Sequence, residues 1–593
     1  MSTKSSSKFM LAAVNACLII AFIIIANHLV PFSIDNDNIY LKTVLSGEMT
    51  GTPDMHAYYI GSITGIIISS LYKLTGNGIP WFGIVLCLYM GSVIWYVLFG
   101  ITKNCKRWFT ALTVATVSML FVSSVFYRYF AETQFTIVGG ILGAGAVFAL
   151  CMTDIKKTIG DNIFNLLFLG IFSLLSYSVR SSAFYMVIPF LGMVLVGKFF
   201  DFIFKRNEKR YFSVLFACAV IIVATFALNF AANKIAYSAD DWKSYDRYNE
   251  AHADMVDYEG FPDYDTYRDV YESFGIKKSS YVALTEHYNL ILDKNINEES
   301  FTALDEINKN IRKETNKDVV AKIKEVTVSI INRNLKDYTD RPINVFVFFI
   351  YLSVVILSLL SKKFLALRDL AFIIVARMFD WFYLVYFGRY PFRVTQIIYI
   401  AELFALIAVI MKYKLWERAF PKIISKLKLS PVFILSLLMV VFISIRFGLP
   451  VMNNVKNQVN GFDKLSVCFV ELEDYLESHP DNFYFIDMSN LHYRERTLGF
   501  GKSPYENYLY MGSWITNSPW YNDKLEAHGI VDPSISLLER DDLFIIYQIS
   551  EGYDRTFLDD YFDEHFPGST VEKVDELITS NGFVYEILKP RYN

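Results

Sequence analysis

Twelve apolar runs constrain what this 593-residue chain can fold into more than any other feature it carries. They fall at about 9–31, 57–74, 80–101, 108–127, 133–152, 162–179, 183–200, 211–233, 343–361, 367–387, 393–412 and 431–449. About 20 apolar residues in a helix cross the hydrocarbon core of a bilayer, so a chain with this many such runs reads as a polytopic membrane protein. Hydrophobic residues make up 53%, aromatics 17%, and the mean hydropathy is +0.31, all too apolar for a water-soluble chain. The net charge of −4, with no basic patch interleaved with aromatics on an exterior segment, gives no reason to expect nucleic acid as a partner. Of the six cysteines, four lie in apolar runs, Cys105 lies in a short basic loop and Cys468 stands alone in a polar region. Neither a disulfide framework nor a cysteine metal site is expected from them.

Lys and Arg in the short loops set the orientation. Lys4 and Lys8 put the N-terminus in the cytoplasm, with the run 9–31 as an uncleaved anchor. If 57–74 crossed the membrane, the basic loops at Lys103–Arg107, Lys198–Arg210 and Lys412–Lys428 would all fall outside. If it does not, all of them become cytoplasmic, together with Lys156, Lys157, Lys362, Lys363 and Arg368. The run also carries five serines, threonines or glycines between Gly61 and Ser69 and ends at Gly76-Asn77-Gly78-Ile79-Pro80, a turn into a proline suited to a helix start. It therefore reads as a juxtamembrane or re-entrant helix packed on protein at the outer side.

The expected fold class is mainly α: a polytopic membrane helix bundle of about 11 spanning helices with an external helical cap and a small external C-terminal α/β domain. The organisation is an N-terminal membrane module over 1–233 with a first external loop at 33–79, a cap over 234–342, further membrane helices over 343–449, and a soluble domain over 450–593. The cap opens acidic and tyrosine-rich and then reads as helices from Tyr281 to about Asp340. In the tail, an amphipathic helix from Leu465 to Leu476 alternates with strand-like runs at 483–488, 543–549 and 583–588. Its histidines, His479, His492, His528 and His565, show no ligand spacing. The expected location is the plasma membrane of a bacterium, N-terminus cytoplasmic and C-terminus external.

With this topology, polar residues from distant parts of the chain reach one membrane face. Asp35 and Asp37 follow the first run, with Glu48, Asp54 and His56 further along the same loop; Arg128 and Glu132 precede the run 133–152; Arg180 lies between two runs; Arg389 and Arg393 flank a proline turn in FGRYPFR. A guanidinium binds phosphate oxygens through two parallel hydrogen bonds and keeps its charge when desolvated, whereas a carboxylate takes a proton from an attacking hydroxyl. Asp35, nearest the membrane and most desolvated, is the expected base, with Asp37 and Glu132 supporting it. Arg389, Arg393, Arg180, Arg128 and His56 are the expected substrate-binding residues. For Arg128 and Arg180 the simpler alternative is snorkelling at helix ends. Arg377 and Asp380, three apart in the run 367–387, read as a mutually neutralised pair, and Gly139, Gly140, Gly143 and Gly145 as a close-packing surface.

The acidic Asp35-Asn36-Asp37 motif outside the first helix, the juxtamembrane helix in that loop, the acid Glu132 opening a later helix, and the soluble C-terminal domain together resemble the GT-C superfamily of membrane glycosyltransferases. That superfamily includes the protein O-mannosyltransferases and the aminoarabinose transferases of lipid A. The resemblance spans the architecture of the whole chain through short motifs. The protein mannosyltransferases carry adjacent Asp-Glu where this chain has Asp-Asn-Asp, and the second acid is commonly Asp where this chain has Glu132. It implies a sugar linked to a polyprenyl phosphate, taken from the outer leaflet and moved with inversion to a cell-envelope glycan, lipid or protein acceptor. No cofactor is fixed, and a divalent cation is left open. Two competing readings belong to other classes: a lipid-linked polysaccharide polymerase or ligase, which would not need the acid after the first helix, and a non-enzymatic transporter, which would need broken polar helices at mid-membrane.

Overall fold

The computed structural model describes residues 3–103, 105, 108–204, 209–315, 324, 326–330, 340–388, 390–415, 431–487, 494–499, 507–549 and 555–592. Helix dominates. Among the described residues, eight helices are long and apolar enough to cross a membrane: Lys8–Leu29, Trp81–Thr102, Phe135–Met152, Ile159–Val179, Ser181–Phe204, Tyr211–Ala236, Ile343–Leu360 and Phe392–Tyr413. The other three runs expected to span are helical too, but differ from these in ways the amino acids explain. Thr110–Val125 is shorter. Phe364–Tyr386 carries Arg368, Asp369, Arg377 and Asp380. The run 431–449 is the start of a 48-residue helix, Pro431–Ser478, which carries Pro450 inside it and continues into the C-terminal domain as the expected amphipathic helix.

The run 57–74 folds as the 14-residue helix Ser62–Thr75. At 1.5 Å per residue it is about 21 Å long, short of a ~30 Å hydrocarbon core. Its first turn is tied to two neighbouring helices. Gly61 N–H donates to Ser178 O (2.6 Å), Thr64 N–H to Ser178 Oγ (2.8 Å), and the Ser62 N–H and hydroxyl both donate to Asn233 Oδ1 (2.9 Å).

Phe135–Met152 is the centre of the bundle, with every residue from Phe135 to Cys151 buried. Its glycines let three neighbours approach. A Cβ on Gly140 would stand 2.5 Å from the Ile397 side chain, one on Gly143 2.7 Å from Val187, and one on Gly145 2.8 Å from Val93. The outer helices leave large apolar side chains uncovered, among them Ile24, Ile25, Val223 and Phe230. Such a surface suits lipid and not water.

Arg377 does not neutralise Asp380. Its Nη1 reaches Glu402 Oε2 on the adjacent helix at 2.8 Å, Tyr351 hydroxyl donates to the other Glu402 oxygen (2.7 Å), and Asp380 Oδ2 is buried without a hydrogen-bond partner. A packed neighbour offering a carboxylate at ion-pair distance decides the pairing here, over helical spacing.

In the cap, helices run over Asp240–Asp254, Arg268–Ser273, Lys278–His287 and Glu298–Thr315; most of the expected stretch beyond 315 lies outside the described residues. The first part of the tyrosine-rich opening is helical, and Trp242, Tyr245 and Tyr248, three apart, point inward. The cap and the C-terminal domain share one core. Leu290 N–H donates to Met511 O (2.8 Å), Ser534 Oγ and Tyr561 hydroxyl both donate to Leu292 O (2.7 Å), and Tyr245 hydroxyl donates to Trp514 O.

Among the described residues, seven strands are present: β1 (Ser33–Asp35), β2 (Phe483–Ile486), β3 (Arg494–Arg496), β4 (Tyr508–Tyr510), β5 (Leu543–Ile549), β6 (Ser569–Ile578) and β7 (Val584–Tyr592). Five form one sheet in the order β4-β2-β5-β7-β6, parallel at β4-β2-β5 and antiparallel at β5-β7-β6. The three strand-like runs of the tail are β2, β5 and β7. β1 and β3 form a separate antiparallel ribbon between the first loop and the tail.

Candidate functional site

Three loops distant in sequence meet just beyond the first helix. Phe32 O accepts from Thr497 N–H (2.8 Å) and Ser33 O from Thr133 N–H (3.0 Å), so β1 is held between the tail on one side and residues 132–133 on the other. The tail approaches so closely that a Cβ on Gly83 would stand 1.8 Å from Thr497 O. β1 ends at Asp35. Asn36 then turns the chain with a φ of 46°, a conformation Asn tolerates better than most residues, and Asp37 opens the helix Asp37–Ser46. The Asp-Asn-Asp motif is therefore neither one strand nor one helix but the junction between the two.

The side chains at this junction form a carboxylate–arginine cluster. In the ribbon Asp35 stands opposite Arg494, whose Nη2 lies 3.3 Å from Asp35 Oδ2 and whose Nη1 lies 3.9 Å from Glu132 Oε1. Arg128 Nε donates to the other Glu132 oxygen (2.8 Å), one helical turn apart, and its guanidinium rests 4.0 Å from the centre of the Phe392 ring. Arg393 is near enough for its charge to act on both Asp35 and Arg180, and Asp37 acts on the same two residues. Arg180 Nε donates to Ser182 Oγ (3.0 Å), with its guanidinium over the rings of Tyr59 (4.6 Å) and Phe135 (5.2 Å). Burial pushes the Asp35 carboxyl above its usual range, with Arg494 as the strongest influence pulling it back and Glu132 pushing it further up.

Six of the residues singled out in the sequence thus sit together: Asp35, Asp37, Glu132, Arg128, Arg180 and Arg393. Arg389 lies outside the described residues. His56 is engaged elsewhere. Its Nδ1 pairs with Asp54 Oδ1 (2.6 Å), its Nε2 with Ala236 O (3.1 Å), and its ring stacks on Trp242 at 4.8 Å, which fastens the first loop to the cap. Arg494 is the residue sequence reasoning missed. Nothing in Arg494-Glu495-Arg496 reads as a strand by apolar alternation, and only the fold carries it to Asp35. Its guanidinium lies over Phe462 at 3.7 Å, and its buried Nε has no hydrogen-bond partner.

Compared with known proteins, the chain matches no family model, no curated protein and no solved structure. The chemistry of the cluster rests on its own residues. Among the described residues, four guanidiniums and three carboxylates gather at this junction, one positive charge in excess, an arrangement suited to a bound anion. A desolvated carboxylate of raised basicity beside it is suited to accept a proton. Among the described residues, no group of three or more His, Cys, Asp or Glu is placed to hold a metal ion.

The other face of the ribbon is a separate charged site. Glu495 points away from Arg494, and Lys42 bridges it (2.5 Å) to Glu48 (2.9 Å), all three buried or nearly so. The two carboxylates hold the Lys42 ammonium above its usual range although burial opposes its charge. This bridge ties the helix that begins at Asp37 to the strand that carries Arg494.

Proposed function

We propose that this protein is a membrane glycosyltransferase of the GT-C kind, moving a sugar from a polyprenyl-phosphate donor to a cell-envelope acceptor at the outer face, with inversion. The observation that carries the reading is the clustering of Asp35 and Glu132 with Arg128, Arg180, Arg393 and Arg494 where the first helix leaves the bundle. In the reaction an acceptor hydroxyl attacks the anomeric carbon while its proton passes to Asp35. The bond from that carbon to the phosphate oxygen breaks, and the polyprenyl phosphate leaves with the electron pair. Positive charge grows on the sugar ring and negative charge on the departing phosphate, and the carboxylates and guanidiniums complement the two. The donor must be lipid-linked because nucleotide sugars are not available outside the cell. The shortness of Ser62–Thr75 supports a first loop that stays on one side, and with it the eleven-helix topology that places the cluster and the C-terminal domain outside.

The test is transfer by the purified full-length protein from polyprenyl-phosphate-linked sugars to envelope glycan or lipid acceptors. The parent is expected to transfer from at least one donor, and Asp35→Asn to lose at least about a hundredfold while still binding it, the usual cost of a missing general base. Transfer by Asp35→Asn at the parental rate would overturn the assignment.

A further inference from the structure

Behind the β1–β3 ribbon lies a cleft of ≈ 580 Å³, counted out to its open mouth, between the helix Asp37–Ser46, the long helix Pro431–Ser478 and β4. Three tyrosines line it. Tyr40 and Tyr510 stand edge to face at 5.9 Å, and Tyr508 and Tyr510 likewise at 5.4 Å, with Lys524 Nζ 5.5 Å from the centre of the Tyr508 ring. Three carboxylates, Glu48, Glu473 and Glu495, line the same space. Glu48 is only 6% exposed, and while its Oε2 holds Lys42, its Oε1 has no hydrogen-bond partner. A buried carboxylate oxygen without a donor is costly, and a ligand that supplies one relieves it.

We propose that this cleft is an accessory saccharide-binding site that holds a sugar unit of the acceptor glycan, an inference that rests on the glycosyl-transfer reading. A pyranose matches the lining on both counts: its C–H faces pack on tyrosine rings, and its hydroxyls donate to carboxylates. Three carboxylates against Lys42 and Lys524 disfavour an anionic ligand. The cleft is not the reaction site, because Glu495 and Arg494 alternate on β3 and face opposite sides of the ribbon. It lies back to back with the cluster, placed to grip a second unit of a chain whose end is being extended or decorated.

Binding is measured without donor, by saturation-transfer NMR and calorimetric titration of the full chain in detergent with cellobiose, N,N′-diacetylchitobiose and glucosamine. At least one is expected to bind through its ring C–H protons. Glu48→Gln and Tyr510→Ala should each weaken it at least about tenfold, Tyr510→Phe, which keeps the ring, should weaken it less than Tyr510→Ala does, and the melting temperature of each variant reports folding. No saturation transfer to any of the three sugars, or equal binding in Glu48→Gln and Tyr510→Ala, would overturn the site. Binding that persists in a parent protein that transfers from no donor would uphold the cleft and remove the enzymatic reading.

Discussion

Arg494 lies opposite Asp35 in the ribbon formed by the tail and the first loop, with its Nη2 3.3 Å from Asp35 Oδ2. The two stand 459 residues apart in the sequence, so the C-terminal domain supplies the strongest charge opposing the effect of burial on Asp35.

That relationship predicts a pH effect of definite sign. Burial holds the Asp35 carboxyl above its usual range and Arg494 opposes this, so transfer that needs the carboxylate rises as pH climbs through the folded pKa. Replacing Arg494 with Gln removes the strongest opposing charge and moves the midpoint upward. Stability runs the other way. Between the ordinary carboxyl pKa and the raised one, the folded state keeps a proton that the unfolded state has released. The contribution of Asp35 to stability is therefore full at low pH and lost as pH rises through the folded value. The pH–rate profiles of parent and Arg494→Gln check this; a midpoint that stays or falls would separate Arg494 from Asp35.

Arg393 carries no ion pair within the described residues and acts on both Asp35 and Arg180, so Arg393→Ala should weaken binding of a polyprenyl-phosphate sugar. Arg393→Lys should restore it only in part, because an ammonium does not reproduce a two-pronged contact with phosphate. Equilibrium binding of a labelled donor reads both, and unchanged affinity in the alanine variant would remove Arg393 from the phosphate site.

Lys42→Met should destabilise the protein by about 3–5 kcal/mol, the scale for breaking a buried pair and stranding its partners, here Glu48 and Glu495. Thermal unfolding in detergent measures the loss. Adding Glu48→Gln and Glu495→Gln to Lys42→Met should recover part of it, since no stranded charge then remains.

Gly140→Val should cost about 1–3 kcal/mol by overpacking, because its Cβ meets Ile397 at 2.5 Å inside the most buried helix of the bundle. Gly78→Ala, where a Cβ meets nothing, is the matched control for the same melting assay.

Topology is testable by reporter fusions after Lys103 and at Asn581, an exposed residue between β6 and β7. The first is expected to read cytoplasmic and the second external. An external signal at Lys103 would mean that Ser62–Thr75 crosses the membrane despite its length.

Hydropathy alone determined the membrane class, the positions of the long helices and the three tail strands Phe483–Ile486, Leu543–Ile549 and Val584–Tyr592, because runs of apolar residues have one low-energy environment and a fixed length to fill. The loop charges pointed to one shared face for Asp35, Asp37, Glu132, Arg128, Arg180 and Arg393, since a side chain at a helix end has little choice of depth. What the sequence could not determine was pairing across space. Arg377 takes Glu402 and not Asp380, His56 takes Asp54 and the Ala236 carbonyl, and Arg494 reaches Asp35 from the far end of the chain. Short polar strands such as Ser33–Asp35 and Arg494–Arg496 carry no apolar alternation of their own. They exist only because each supplies the backbone partners the other lacks, and that complementarity arises only when the tertiary fold brings them together.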